Sequence, residues 1–205
     1  MSVKPVVLDL YSQFYLPLGL HLKPCLKGFI LAILPCLEEE NEYTAKAIQI
    51  LLDLASSVGH GPFYHHLWMS MVSSIHARLP ALIFLLTQFS QTKSREDVGF
   101  MIGNDPDIMV KALSLCLNDS SVLVQRYALE LISTYLPLEH QFLKQQDAEI
   151  LMSAALKCIL RKDMSLNRRF YAWLLTPSVQ ISSLTLDVLK QSILVFIFLF
   201  FTLIF

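Results

Sequence analysis

Only six of the 205 residues are glycine, and none of them builds a G-x-G-x-x-G fingerprint, a phosphate-cradling P-loop or a G-x-S-x-G elbow. Dinucleotide binding, P-loop phosphate chemistry and the α/β-hydrolase nucleophile are thereby excluded. The four cysteines, Cys25, Cys36, Cys116 and Cys158, include no C-x-x-C pair, so neither a zinc knuckle nor a redox dithiol is encoded. Each lies among Leu, Ile or Ala and reads as a small buried hydrophobe in a reducing compartment. Neither sign of charge is in excess. Sixteen Lys and Arg against seventeen Asp and Glu leave a net charge of -1, without the positive surplus that binding to a phosphate backbone draws on. No segment sustains the period of two that marks a strand. The N-terminus shows no small-residue cleavage site behind its brief apolar patch, so no secretory signal is visible and the default location is cytosolic.

What the chain does have is apolar side chains, 54% of all residues, with a mean hydropathy of +0.52. That is enough for a large core and excludes disorder. These residues recur every three to four positions in block after block, which predicts an all-helical protein. Asn41 is expected to cap a helix striped by Ala47, Ile48, Leu51, Leu54 and Ala55 and closed by Gly59. Asp105 followed by Pro106 predicts the start of another, striped by Met109, Val110, Leu113, Cys116 and Leu117 and ending near Asn118. Asp119 or Ser120 then opens a helix that Pro137 ends. Residues 147–162 carry Asp147 and Glu149 in the first turn and Lys157, Arg161 and Lys162 in the last, as the helix dipole favours. Further helices are expected over 165–175, 24–34, 62–73 and, more weakly marked, 5–15.

The linkers are short enough for helical hairpins, and the second helices of three hairpins open alike. Ser74 precedes Arg78, Ser121 precedes Arg126 and Ser165 precedes Arg169, each arginine leading into a strongly apolar run. The arginines recur at intervals near the roughly 40 to 47 residues of HEAT and armadillo repeats, which predicts an α-solenoid of stacked hairpins. Arg78, Arg126 and Arg169 are assigned a structural role: each guanidinium is expected to bond a carboxylate or carbonyl of an adjacent repeat and hold the register.

Four segments carry a more specific likeness: Leu10-Tyr11-Ser12-Gln13-Phe14-Tyr15-Leu16-Pro17-Leu18, Ile33-Leu34-Pro35-Cys36-Leu37-Glu38-Glu39, Asp119-Ser120-Ser121-Val122-Leu123-Val124-Gln125-Arg126, and Arg161-Lys162-Asp163-Met164-Ser165-Leu166-Asn167-Arg168-Arg169-Phe170-Tyr171-Ala172-Trp173-Leu174-Leu175. In this order and spacing they resemble the N-terminal domain of the Dopey family. The resemblance implies a non-enzymatic helical scaffold, part of a very large cytosolic protein attached peripherally to Golgi and endosomal membranes. It also implies a role in transport between endosomes and the trans-Golgi network with a Mon2-type partner. No catalytic residue, cofactor, metal, nucleic acid or small-molecule substrate comes with it.

The expected domain is residues 1–175, entering the family's repeat part-way, and 176–205 reads as a hydrophobic tail outside the family. A fragmentary gene product or an intron read-through explains such a tail, which would make the chain a non-functional truncated product. The rival reading is a small membrane protein anchored by residues 193–205. That stretch is apolar apart from Thr202 but shorter than the roughly 20 residues a spanning helix needs.

Lys157, Arg161, Lys162, Arg168 and Arg169 form the dense basic cluster of the sequence. It reads either as a contact for an anionic lipid headgroup or an acidic partner, carried by Lys157, Arg161, Lys162 and Arg168, or as helix capping and repeat-stacking ion pairs. The acidic run from Glu38 to Glu42 reads as a solvated loop. His60, His65 and His66 are the cluster nearest to metal chemistry. The adjacent pair would point about 100° apart on a helix and no third ligand completes a set, so no metal site is assigned and a metal-dependent hydrolase is the weakest alternative. His60, flanked by Gly59 and Gly61, reads as a turn residue. Trp68 and Trp173 read as core.

Overall fold

The computed structural model describes residues 3–38, 42–91, 99–103, 105–136 and 143–175. Among them all regular structure is helical, without a strand. The tail over 176–205, Asn41, Asn104 and Pro137 lie outside the described residues.

Residues 3–37 run as a chain of short, differently wound pieces: α1 (Val3–Leu10), a π-helical turn (Tyr11–Tyr15), a 3-10 stretch (Leu16–Cys25), α2 (Leu26–Ile33) and a second 3-10 turn (Leu34–Leu37). The single helix expected over 24–34 is thus divided. Prolines supply no N–H and clash with the preceding turn, and Pro17, Pro24 and Pro35 all fall in the 3-10 segments. Gly19, at φ 54°, kinks the chain inside the longer of them. This run is long and apolar enough to cross a bilayer by length and composition alone. Here Leu22, Leu26, Ile30, Ile33 and Leu34 instead enter the core, while Val6, Phe14 and Leu20 are more than half exposed.

Helix α3 (Thr44–Val58) follows and stops at Gly59, whose φ of 93° is open to glycine at little cost. Its N-terminus is closed by the Ala47 N–H donating to the Tyr43 carbonyl. Helix α4 (His60–Ser73) begins at once, because the Phe63 N–H donates to the Gly59 carbonyl. One glycine therefore ends one helix and caps the next, and His60, expected in a turn, is the first helical residue of α4. A 3-10 turn (Ile75–Ala77) leads into α5 (Arg78–Gln91).

The short α6 (Gly99–Ile102) is laid on α4 by Trp68, whose Nε1–H donates to the Met101 carbonyl at 3.0 Å. Gly103 completes that approach. Its φ is 81°, and a Cβ there would stand 3.0 Å from the His65 nitrogen, so a side chain would push the two backbones apart.

Helix α7 (Pro106–Leu117) starts as the sequence predicts, with the Asp105 carboxylate accepting the Asp107 N–H and proline at the first position. Then come α8 (Val122–Tyr135), α9 (Gln145–Ile159) and α10 (Met164–Leu175). Helix α9 ends three residues before the predicted boundary, and Lys162 takes a left-handed conformation at φ 56° in the turn to α10.

The helices form two rows. Helices α4, α7 and α9 lie side by side in one, and α5, α8 and α10 in the other, with α2 beside α4 and Leu34–Leu37 against α5. Within each row neighbours run parallel. At their C-terminal ends the Phe89 and Tyr135 rings meet at 4.7 Å between centroids, and the Trp173 Nε1–H donates to the Leu136 carbonyl at 2.9 Å. In the other row Lys144 pairs with Asp107 at the N-terminal ends, and Cys158 reaches the Leu117 carbonyl at the C-terminal ends. Between the rows a single apolar core runs from Leu8 to Leu174 and buries Phe63, Trp68, Phe84, Phe170 and Trp173. Every helix gives its apolar face to this core, which is where the stability of so many short helices comes from.

Candidate functional site

The polar chemistry of the molecule is concentrated where the parallel helices α5, α8 and α10 begin. Arg78, the first residue of α5, donates from Nη1 to Asp119 Oδ2 at 2.7 Å and from Nε to the Met71 carbonyl at 3.3 Å. Asp119 sits in the turn before α8 with its side chain only 2% exposed. Its other oxygen, Oδ1, accepts the Ser121 N–H at 2.8 Å. One carboxylate thus closes the turn that leads into α8 and neutralises the arginine of the preceding hairpin.

The next junction repeats the plan with a hydroxyl inserted. Asp163 precedes α10, and its Oδ1 accepts the N–H groups of Ser165 and Leu166 at 2.8 and 3.1 Å. The Ser165 hydroxyl donates to the same carboxylate and accepts from Arg126 Nε at 3.1 Å. These bonds, the Ser165 hydroxyl first, hold the Asp163 carboxyl below its usual range, and Arg126 adds to the effect.

Arg169 differs. Its Nε and Nη2 converge on Glu130 Oε2 at 3.2 and 3.0 Å, back on α8, and its Nη1 donates to the Ser165 carbonyl. Arg161 also reaches back one hairpin, its two terminal nitrogens donating to the carbonyls of Ser120 and Asp119 at 2.8 and 3.0 Å. The turn over 119–121 is therefore gripped by Arg78 from one neighbour and by Arg161 from the other.

The basic cluster is divided by these bonds. Arg161 and Arg169 are bonded between hairpins, and Lys157 and Arg168 are exposed. Lys157 borders an open groove of about 550 Å³ between α7 and α9, along with Ser114, Asn118, Glu149, Ile150 and Ser153. Beside the arginines, Leu160 and Met164 are 59% and 84% exposed.

The histidines do not converge. His60 lies against Tyr64 and Phe100. The His65 and His66 rings meet edge to face at 5.5 Å. Burial, then His65, then Lys27 hold His66 below its usual pKa. Among the described residues no group of three His, Cys, Asp or Glu is placed to hold a metal ion. Cys36, Cys116 and Cys158 are buried and Cys25 is exposed. Burial pushes the Cys116 thiol up to about 12 and the Cys158 thiol to about 11, which makes both poor nucleophiles.

Sequence reading marked the three arginines but missed Asp119 and Asp163 as their anchors, and missed the grip of Arg161. A signal was there. Both carboxylates stand two residues before a serine, Asp119-Ser120-Ser121 and Asp163-Met164-Ser165, the spacing of an aspartate that accepts the N–H two residues on. What the arrangement does chemically is to hold helices in register and leave an edge of turns facing solvent.

The family described as Dopey, N-terminal matches residues 1–179 of this chain. Over 190 residues the chain is 36% identical to the protein DOP1 homolog of Drosophila melanogaster, an alignment that covers 93% of the chain and 7% of the fly protein. It is 39% identical over 188 residues to protein DOP1B of Mus musculus, covering 88% of the chain and 8% of the mouse protein. Protein DOP1 of Saccharomyces cerevisiae is 24% identical over 225 residues, covering 87% of the chain and 13% of the yeast protein. No solved structure matches the chain. The chain thus spans a small fraction of the length of these relatives.

Proposed function

This chain belongs to the Dopey family, and from that premise we propose that it is a non-enzymatic scaffold segment: an α-solenoid of HEAT- or armadillo-like hairpins serving transport between endosomes and the trans-Golgi network. Its place is the cytosolic face of Golgi and endosomal membranes, and its work is to present an extended surface to protein partners, a Mon2-type trafficking protein first among them. The observation that carries the reading is the pair of parallel helix rows tied at successive junctions by Arg78 to Asp119 and Arg126 to Ser165. Side-by-side repetition with one core running through it is how repeat proteins gain stability without closing around a reaction chamber. The polar groups at the junctions are bonded to one another, Arg78 to Asp119 and Arg126 through the Ser165 hydroxyl to Asp163, as groups that hold neighbouring hairpins together would be.

The test is retention of the Mon2-type partner from a cell extract on the immobilised chain. Retention by the native chain, and its loss when Arg78 and Asp119 are both replaced and the hairpin register fails, is the expected result. Absence of the partner from the native chain would count against the trafficking reading.

A further inference from the structure

We propose that the edge formed by the turns of the three hairpins is a docking surface for an acidic amphipathic helix of a partner protein. The inference rests on the scaffold reading above and specifies which face of the scaffold is used and by what. At each turn an apolar side chain is left in solvent: Ile75 is 51% exposed, Leu123 41%, and Leu160 and Met164 59% and 84%. Ile75 lies in the turn before α5, Leu123 and Met164 in the first turns of α8 and α10, and Leu160 at the end of α9 beside Met164, next to the helix starts that the arginine bonds bring side by side. They therefore form a row, not scattered exposures.

At the α10 end of this row the charge is positive on balance. Asp119 is neutralised by Arg78, whereas Asp163 keeps its negative charge among neutral donors and is outnumbered there by Arg126, Arg161 and Arg168. Arg161 gives its terminal N–H groups to carbonyls, which satisfies its donors without cancelling its charge. With exposed Arg168 beside it, the Met164 end of the row is positive, and a ligand with carboxylates at the matching end is favoured.

Neighbouring helices in such a row lie about 8–10 Å apart, which matches roughly five to seven residues of a ligand helix rising 1.5 Å per residue. A helix with an apolar anchor at every seventh position and Glu or Asp at one end fits the row. Ile75 and Leu123 keep about half of their surface against their own hairpins, so they offer strips on which a helix can lie and not wedges that penetrate a bilayer. Met164 is unbranched and adaptable, as residues at docking surfaces often are. Positive charge gathered at one end orients a helix, whereas a lipid plane asks for charge spread along the row.

The test uses the full chain and a synthetic helical peptide with leucine at every seventh position and glutamate concentrated at one end. A peptide with lysine in place of glutamate and mixed phosphatidylcholine–phosphatidylserine vesicles serve as comparisons. Binding of the acidic peptide alone, weakened at least about tenfold by Met164→Asp and by Arg168→Glu, is the expected result. Both positions are exposed, so the thermal transition of the variants should match the native chain; Leu123→Asp serves as a third variant at the middle turn. Equal binding by native and variant chains, or binding of vesicles without the peptide, overturns the proposal, the latter in favour of a membrane surface. Loss of the acidic peptide with the trafficking partner still retained rejects the edge and leaves the scaffold standing. Peptide binding with no partner retained supports the edge and rejects the trafficking role.

Discussion

The Arg78 guanidinium and the Asp119 carboxylate, 41 residues apart in sequence, meet at 2.7 Å across the boundary between two hairpins, with side chains 13% and 2% exposed. A pair so far out of water is not in itself strong evidence of net stability, because desolvation offsets much of the attraction. Its effect is conditional. Once the helices are stacked, removing either partner strands a charge in the core, so the pair penalises any register in which Arg78 fails to find Asp119.

Asp119→Ala is therefore expected to destabilise the chain by about 3–5 kcal/mol, since it leaves Arg78 unpaired and removes the acceptor of the Ser121 N–H in the turn. Asp119→Asn keeps an acceptor for that N–H and should cost less. Urea unfolding followed by the emission of Trp68 and Trp173 measures both, and the cycle with Arg78→Met isolates the coupling. A loss for Asp119→Ala no larger than that of an exposed surface change would remove the register argument.

The arginines were legible in the sequence because their helices open alike, but their partners were not. Whether Arg78 meets Asp119, and Arg169 turns back to Glu130, depends on how far one helix slides along its neighbour, and no local pattern encodes that. Helix starts with a capping carboxylate and proline were legible, as Asp105 and Pro106 show. Those in residues 3–37 were not, because prolines and Gly19 exchange one helical winding for another without breaking the apolar pattern. The exposed edge was half legible. The basic cluster stands out in the sequence, whereas the exposure of Leu123 and Met164 appears only when the core has taken its share of the apolar residues.

Asp163 gives the chain a sensitivity to acid. Its pKa is held below the ordinary 3.8, so the folded state binds its proton less readily than the unfolded chain does. The stabilisation is whole above the unfolded value and is lost as the pH falls below it towards the folded value. Asp163→Asn should flatten this lowest limb of the stability profile and leave the slope near neutrality unchanged. Stability measured in urea across that window checks it; an unchanged acid limb in the variant would show that Asp163 does not titrate in this way.

His66 acts in a higher window with the same sign. Burial, His65 and Lys27 keep it neutral below the usual 6.5, so the unfolded chain takes up the proton first and stability falls as the pH drops below that value. His66→Gln should remove part of this slope, read as a smaller difference between the melting temperatures at neutral and mildly acidic pH.

Thiol labelling separates the cysteines by burial. Cys25 is exposed and should react with a disulfide reagent in a single fast phase under native conditions. Cys116 and Cys158, with thiols pushed up to about 12 and about 11, should wait for unfolding, as should buried Cys36. Cys25→Ser removes the fast phase. A second fast thiol in that variant would mean that the core opens more readily than its packing implies.

Trp173 links the end of α10 to the end of α8, its ring 1% exposed and its Nε1–H on the Leu136 carbonyl at 2.9 Å. Phenylalanine at this position keeps most of the apolar contact but leaves a buried carbonyl without a donor, and that desolvation is worth about 1–3 kcal/mol. The loss should fall on the junction of the last two hairpins. Hydrogen exchange in α10 is therefore expected to quicken in Trp173→Phe while exchange in α4 and α5 holds, because in stacked repeats stability is a sum of neighbour contacts. Uniform acceleration through all helices would instead describe a single cooperative globule, and the division of the molecule into neighbouring units would have to be given up.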